Sequence, residues 1–336
     1  MSAASEAAGP RRIPDRLPRP FGAGLLSWEA LLIAVAAAIF VVNSLASPYF
    51  LDPWSLSDLT FNFTEKGLIA LAMALLIISG EIDLSVAAIM ALASTLMGMA
   101  VQAGAGTPLL VAIGIATGLG CGAANGLLVT RLGLPSIVVT IGTMSLFRGI
   151  AFIILGDQAY KGYPASFAFF GQGYVWWVVS FELVLFLAAA CVFGFLLHRT
   201  SFGRRIFAIG NNPVAAQFSG VRVDRIKFLL FCLTGLMSGM ASVLITSRLG
   251  STRPSIAQGY ELEAITMVVL GGVSILGGAG SIPGVVLAAF IMGLVTFGLG
   301  LLNVPGIVMS IFVGLLLVSV IALPILWRMA RQGKTA

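Results

Sequence analysis

Long apolar runs follow one another along almost the whole chain, and few charges interrupt them. Most of these runs are about 20 residues long, the length that an α-helix needs to cross the hydrocarbon core of a bilayer. Charged residues make up only 10% of the 336 residues, whereas a typical soluble domain carries about 25%. So few charges cannot keep the surface of a water-soluble fold hydrated. The sequence therefore predicts an all-α, polytopic membrane protein.

Charges and Gly/Pro punctuation divide the chain into about ten predicted spans. These cover residues 28–46, 67–79, 84–102, 108–129, 135–155, 174–197, 227–246, 263–276, 283–302 and 305–326. The first run is longer than the core of a cleaved signal peptide, so we interpret it as an uncleaved anchor. The second and eighth spans are short, and we expect them to be broken or tilted.

The basic residues predict how these spans are oriented, because cytoplasmic loops of membrane proteins are enriched in Lys and Arg. With an even number of spans and both termini cytoplasmic, all but five of the 19 lysines and arginines fall on the cytoplasmic side. The five exceptions are Lys66, Arg148, Lys161, Arg248 and Arg253. We therefore predict a disordered basic cytoplasmic tail at 1–24, a transmembrane domain at 25–327 and a cytoplasmic tail at 328–336.

One polar stretch, residues 198–226, is long for a connection between two spans. Within it, Asn212 suits the N-cap of a helix, Pro213 the first helical position and Gly220 the C-terminal stop. The pattern predicts a two-turn helix outside the bilayer. By itself the pattern fits a simple connector as well as a docking element.

Charges near or within the spans are candidate functional groups, because burying them in a membrane is costly. Glu81 and Asp83 lie in the sequence Gly-Glu-Ile-Asp-Leu-Ser at 80–85. Asp83 is placed to N-cap the third span, and the same two carboxylates could form a proton or cation site. Arg148 and Glu182 occur at similar predicted depths on successive spans, which favours an ion pair between them or a place along a pathway.

No residue pattern in the sequence is typical of an enzyme. There is no GxSxG and no Walker-type GxxxxGK[ST], so we expect no nucleotide site of the P-loop kind. The three cysteines lie in apolar runs without CxxC spacing, and the single histidine, His198, adjoins Arg199 at a predicted helix end. We expect no metal and no cofactor. The net charge of +6 is explained by membrane topology, so it does not indicate nucleic-acid binding.

Four motifs occur in order along the chain. They are GEIDLS at 80–85, NG at 125–126 with LPSIVVTIGT at 134–143, FGRR to SGV at 202–221, and LGGVS to GGAGS at 270–281 with Gly284. Together they resemble the permease subunits of bacterial sugar-type ABC importers, the ribose/xylose/arabinose branch that includes rhamnose and autoinducer-2 permeases. Glu81 departs from this family, which has glycine there, and Ala87 and Ala88 stand where another glycine is common.

The resemblance implies alternating access driven by a separate ATPase subunit, with no catalysis by this chain. Its ATPase-coupling residues would be Asn211, Asn212, Pro213, Ala215, Ala216, Phe218, Ser219, Gly220 and Val221. Ala215 and Ala216 would allow close seating, and Phe218 and Val221 would be apolar anchors. We expect a further set to line the pathway or to pack helices: Asp83, Ser85, Asn125, Arg148, Glu182, Gly271 and Gly272.

The implied partners are an ABC ATPase, a periplasmic solute-binding protein and a second permease, either another copy or a paralogue, in the bacterial inner membrane. The expected docking residues for the binding protein are Lys161, Arg248, Arg253, Glu261 and Glu263. The implied substrate is a monosaccharide or sugar-like solute of the rhamnose, pentose or autoinducer-2 type.

Two alternatives to the importer remain open. One is a secondary transporter driven by an ion gradient through Glu81, Asp83 or Glu182. The other is a membrane enzyme, which would need a clustered polar site.

Overall fold

The structure is a computed structural model that describes residues 28–156, 158–312, 314, 315 and 318. The predicted tails at 1–24 and 328–336 and the end of the tenth predicted span lie outside the described residues. The helices are α1 (Trp28–Ala46), α2 (Pro53–Phe61), α3 (Thr64–Ile78), α4 (Val86–Gln102), α5 (Thr107–Leu132), α6 (Ser136–Leu155), α7 (Phe169–Gln172), α8 (Phe181–Arg199), α9 (Ser201–Asn211), α10 (Pro213–Phe218), α11 (Val223–Leu249), α12 (Tyr260–Leu270) and α13 (Ile282–Leu301). The strands are β1 (Tyr160–Lys161), β2 (Tyr174–Trp176), β3 (Val179–Ser180) and β4 (Ser251–Thr252).

Six of the described helices are long and apolar enough to cross a membrane, namely α1, α5, α6, α8, α11 and α13. The pair α2 and α3 is a seventh candidate, bent by 44° between Phe61 and Thr64. The bend precedes the second predicted span, 67–79, which lies almost entirely in the one helix α3, so that span is short but is not itself broken. The eighth predicted span is shorter than a full crossing: α12 has 11 residues and ends at Leu270, and Gly272, two residues further on, takes a φ of 84°.

The bundle has two opposite ends, and hydrogen bonds between residues far apart in the sequence show which helix ends and loops lie together at each. We call the end with residues 79–85, 133–135, 200–222 and 271–281 the basic end. There Trp28 Nε1 donates to Leu270 O at 2.9 Å, and Ile282 N donates to His198 Nε2 at 3.3 Å. At the outer end, as we call the opposite one, Gln102 Nε2 donates to Lys161 O at 3.1 Å. Helices α1, α4, α6, α11 and α13 run from the basic end to the outer end, and α3, α5, α8 and α12 run back.

Helix α3 is the centre of the core: every residue of it except Lys66 is buried. It contacts α8, α11, α12 and α13, so it is surrounded by other helices. The sequence of α3 has no polar face, and this fits its central position. A helix that is apolar on all sides is stable only when it is covered on all sides.

Helices α5 and α11 pack through facing glycines. A Cβ atom on Gly118 would overlap Gly235 O and lie 2.7 Å from Gly239 Cα, and one on Gly122 would lie 2.9 Å from Gly235 Cα. The small residues let the two backbones touch, which is how membrane helices gain packing contacts without a hydrophobic driving force.

The sixth predicted span begins too early. Residues 174–180 form a hairpin in which Tyr174 pairs with Ser180 and Trp176 with Val179, and α8 starts only at Phe181. The side chain of Ser180 caps α8 by accepting from Leu183 N at 3.2 Å, and Trp177 at the turn has a φ of 43°. The aromatic and β-branched residues here have high strand propensity, which hydropathy alone did not reveal.

Candidate functional site

At the basic end, α10 is a two-turn helix with complete end signals, as the sequence predicted. The side chain of Asn212 caps it by accepting from Ala215 N at 3.0 Å, and Pro213 is its first residue. Gly220, just after the helix, has a φ of 82°, a conformation that favours glycine. The cap and the stop fix the position of a helix that is too short to be stable alone.

The two faces of α10 differ from the prediction in one respect. Ala216 is buried, and Val221 packs against the core, so these two residues attach the helix to its own chain. Phe218 is 90% exposed, and Val214 is 59% exposed. The close seating predicted for Ala216 is therefore wrong, because its side chain is buried against its own chain, and the exposed apolar pair on α10 is Val214 and Phe218. The docking role of the half-buried Val221 stays a prediction.

The end of α9 connects α10 to the interior. Asn211 Nδ2 donates to Gly278 O at 3.3 Å, and Gly278 N donates to Ile78 O at 2.9 Å. Gly210 lies directly on Ile78, because a Cβ atom there would overlap Ile78 O. A displacement of α10 would therefore act on the last turn of α3 through backbone contacts.

Glu81 is paired with Lys227 near the start of α11, with Nζ and Oε1 2.5 Å apart. Both side chains are largely buried. The pair links the 80–85 turn to the helix that follows α10. It also gives a role to the carboxylate by which this sequence departs from the resembling family.

A buried polar network lies beside this turn. Asp83 Oδ1 accepts from Ser85 N at 2.8 Å and from Ser85 Oγ at 2.6 Å, and Asn125 Nδ2 donates to Ser85 Oγ at 2.8 Å. The prediction that Asp83 N-caps the following helix is wrong: Ser85 holds the N-cap position of α4, and Asp83 stabilises the turn before it. Asp83, Ser85 and Asn125, three of the residues expected to line the pathway or to pack helices, are thus brought together between the end of α3 and α5.

Gly271 and Gly272 pack helix ends. A Cβ atom on Gly271 would lie 2.6 Å from Val285 N, and one on Gly272 would lie 2.6 Å from the ring of Trp28. The two glycines therefore let the beginnings of α1 and α13 meet the end of α12. This close approach corresponds to the helix-packing role expected for them.

At the outer end, Arg248 and Glu65 form a largely buried ion pair of 2.8 Å. Arg248 Nη1 also donates to Phe61 O at 3.1 Å, and Glu65 accepts from the Tyr260 hydroxyl at 3.4 Å. Glu182 lies nearby and accepts from Thr64 Oγ1 at 2.6 Å. Through these contacts, the region of the bend between α2 and α3 is bonded to α8, α11 and α12.

The predicted ion pair between Arg148 and Glu182 is wrong. Arg148 Nη1 donates to Pro254 O at 2.7 Å and to Ile256 O at 2.8 Å, whereas Glu182 is bonded to Thr64. The physical reason is helix arrangement: α6 packs on α4 and α5, and α8 packs on α3.

The five residues expected to dock a binding protein all belong to the outer half, but they differ in availability. Lys161 and Arg253 are exposed. Arg248 is committed to Glu65, and Glu263 to Lys66 at 2.5 Å, while Glu261 is half-buried. Of these five residues, Lys161 and Arg253 are therefore the two exposed charges.

Hydroxyl groups between α4 and α11 were not singled out from the sequence. Ser242 Oγ donates to Met90 O at 2.7 Å, Thr246 Oγ1 donates to Ser94 Oγ at 2.8 Å, and Thr252 Oγ1 lies 2.8 Å from Ser94 Oγ. The sequence did contain a signal for this contact. Met90 and Ser94 are four residues apart, as are Ser242 and Thr246, and residues with that spacing share a helix face.

Tyr163, in the outer loops, continues this set through a hydroxyl contact of 2.5 Å with Thr252 Oγ1. Burial raises the pKa of Tyr163 to about 12, so the phenol stays neutral. Within the part of the chain that the structure describes, no group of three or more His, Cys, Asp or Glu residues could hold a metal ion.

The comparisons with known proteins agree with this architecture. Residues 55–321 match the family described as branched-chain amino acid transport system / permease component. The ribose import permease protein RbsC of Bacillus subtilis is 36% identical over 85% of this chain and 89% of its own length. The autoinducer 2 import system permease protein LsrD of Salmonella typhimurium is 35% identical over 88% of this chain and 90% of its own. No solved structure gives a significant match. The predicted resemblance to import permeases is confirmed, and the chain belongs to the family of branched-chain amino acid transport system permease components.

Proposed function

We propose that this chain is the transmembrane permease subunit of an ATP-driven importer that moves a monosaccharide or sugar-like solute into the cytoplasm by alternating access. The observation that carries the proposal is α10, a capped helix outside the long apolar helices that exposes Val214 and Phe218. The residues that the structure describes leave this face uncovered. It suits the cleft of a separate ATPase, which would grip the helix through its apolar side chains.

Movement of α10 has a mechanical route into the bundle. The route runs through Asn211 and Gly278 to Ile78 at the end of α3, and through Lys227 to Glu81. Both branches reach the 80–85 turn, where Asp83 is tied to Ser85 and Asn125. We propose that closure of the ATPases displaces α9 and α10 and that this turn passes the displacement on to α3, α4 and α5.

The proposed topology has ten spans with both termini in the cytoplasm of a bacterium and the chain in the inner membrane. Support comes from the nine segments that alternate between the two ends, with a further helical stretch beginning at residue 306. The basic end would be cytoplasmic, because Arg131, Arg204, Arg205, Arg222 and Arg225 lie there. In this topology residues 25–327 form the transmembrane domain and residues 198–226 its coupling loop.

The proposed partners occupy opposite ends. The ATPase would bind α10, and a periplasmic solute-binding protein would dock on the outer loops near Lys161 and Arg253, which are exposed there. A second permease, identical or paralogous, would complete the pathway. The substrate class is proposed from the ribose and autoinducer 2 named for the two relatives, and a rhamnose-type sugar or another pentose fits the same class.

Substitution of Phe218 tests the proposal. Because this side chain is 90% exposed, Phe218→Asp should leave the fold intact, yet removal of an interface anchor of about 2 kcal/mol should weaken ATPase association at least about tenfold. We expect loss of ATPase co-purification and of solute uptake at unchanged membrane levels. Phe218→Leu is the matched control, and it should retain both. Uptake that persists in the Asp variant would refute the coupling role of α10.

A secondary transporter is the competing function, and the buried carboxylate of Glu182 is the observation that favours it. Glu182 Oε1 has no hydrogen-bond partner among the described residues. The two functions separate in a single uptake assay. An importer stops when the ATPase is deleted and continues when a protonophore collapses the proton gradient at constant ATP, whereas a proton-coupled carrier responds in the opposite way.

A further inference from the structure

A groove of about 830 Å³ opens at the basic end between the last turn of α5 and the first turns of α11. Arg131 on α5 and Arg222 and Arg225 at the start of α11 line it, and all three are exposed. None of these arginines makes an ion pair or a side-chain hydrogen bond with the described residues, whereas nearby Lys227 is paired with Glu81. Among the described residues that line the groove, Asp224 is the one carboxylate, so they carry an excess of positive charge.

The same groove has apolar walls on the side of the spans. Leu127 lies four residues before Arg131 on α5, and Leu229 lies four residues after Arg225 on α11. Arg131 and Arg225 therefore each have a leucine one helical turn further into the bundle on the same face. These leucines are 48% and 49% exposed, and Phe228 lies between the two helices.

We propose that this groove binds an anionic phospholipid. The three guanidinium groups would hold the phosphate, since planar, weakly hydrated arginine side chains suit phosphate oxygens. The leucines and Phe228 would pack against the first part of an acyl chain, as in basic pockets between membrane helices on the cytoplasmic side. A soluble anion would use the arginines but leave the apolar walls uncovered. The inference depends on the basic end lying at a membrane surface and does not depend on ATP-driven transport.

The lipid would also contact the coupling segment. Gln217 on α10 and Gly220, two residues after the helix ends, belong to the wall of the groove. An occupied groove would therefore brace the C-terminal end of α10 against α5 and α11. Lipid composition would in this way affect the helix that the proposed ATPase grips.

The test uses the full-length chain in detergent micelles, titrated with phosphatidylglycerol or phosphatidylcholine and observed by native mass spectrometry. We expect phosphatidylglycerol to bind at least about tenfold more tightly than phosphatidylcholine, because each basic residue near an anionic head group contributes about fivefold. Arg222→Gln/Arg225→Gln should reduce this affinity about 25-fold. Glycerol phosphate, which lacks acyl chains, should not compete at the same concentration.

Arg204→Gln/Arg205→Gln is the matched control, since it removes two exposed charges of the same end that do not line the groove. We expect it to change phosphatidylglycerol affinity by less than about twofold. Equal loss in both double variants, or equal affinity for the two lipids, would overturn the proposal. So would retained lipid binding combined with lost ATPase association in the groove variant, which would identify a protein-docking surface. If that variant does not fold, Arg131→Gln on α5 should still lose about fivefold.

Discussion

Replacing Gly118 with alanine tests whether the contact between α5 and α11 sets the spacing of the bundle. The added Cβ atom would overlap Gly235 O and lie 2.7 Å from Gly239 Cα. Carbon atoms in contact are normally about 3.5–4.0 Å apart, so α11 would have to retreat by about 1 Å. Overpacking of this kind costs about 1–3 kcal/mol, and alanine in a helix interior returns about 1 kcal/mol relative to glycine.

Gly120 provides the matched control, because it lies on the same helix and a Cβ atom there has no neighbour within 4 Å. Gly120→Ala should therefore be neutral or stabilising by up to about 1 kcal/mol. Subtracting the two effects removes the difference in helix propensity. The remaining contact energy should be about 1–3 kcal/mol against Gly118→Ala.

The assay is thermal unfolding of the purified variants in one detergent, with uptake measured in parallel. We expect Gly118→Ala to unfold at a lower temperature than Gly120→Ala and to transport less. The loss of transport follows because Asn125, two turns along α5, bonds to Ser85 across the bundle. Equal unfolding temperatures for the two variants would show that the glycine contact does not determine the packing of α5 on α11.

Two further predictions concern the basic end. Lys227→Met leaves the largely buried Glu81 carboxylate unpaired and should lower the free energy of unfolding by about 1–3 kcal/mol, measured by thermal unfolding. Adding Glu81→Gln should recover most of this loss. Equal stability of the single and double variants would contradict the ion pair. Asn212→Ala removes the cap of α10 and should reduce the stability of this helix by about 1 kcal/mol. The loss should appear as faster hydrogen exchange of residues 213–218, whereas Asn212→Asp should exchange as the wild type does. Unchanged exchange in the alanine variant would refute the role of the cap.

Local signals in the sequence were sufficient wherever the structure is itself local. The bounds of α1 and the cap, first residue and stop of α10 follow from residues within a few positions of one another. The failures also have local causes. The hairpin before α8 is as apolar as a helix, so hydropathy alone could not separate them, and α12 ends early because Gly272 adopts a φ that continues no helix.

In the candidate site, contacts between residues close in the sequence could be predicted, but contacts between distant residues could not. Asp83 and Ser85 were recognised because they are neighbours in the chain, and the family resemblance added Asn125. The partner of Glu81 could not be found in this way, since Lys227 is 146 residues away. The Arg148–Glu182 prediction was wrong for the same reason, because consecutive spans need not be adjacent helices.

The succession of apolar runs with few charges by itself predicted a bundle of membrane-spanning helices, because runs of about 20 apolar residues match the length that a helix needs to cross the hydrocarbon core with its backbone hydrogen-bonded. Only the tertiary structure decided which polar groups meet. The Glu65–Arg248 pair, the Glu81–Lys227 pair and the groove of three arginines each join residues that are far apart in the sequence. Such meetings depend on how helices pack and where they break, and neither is encoded in the hydropathy of any single segment.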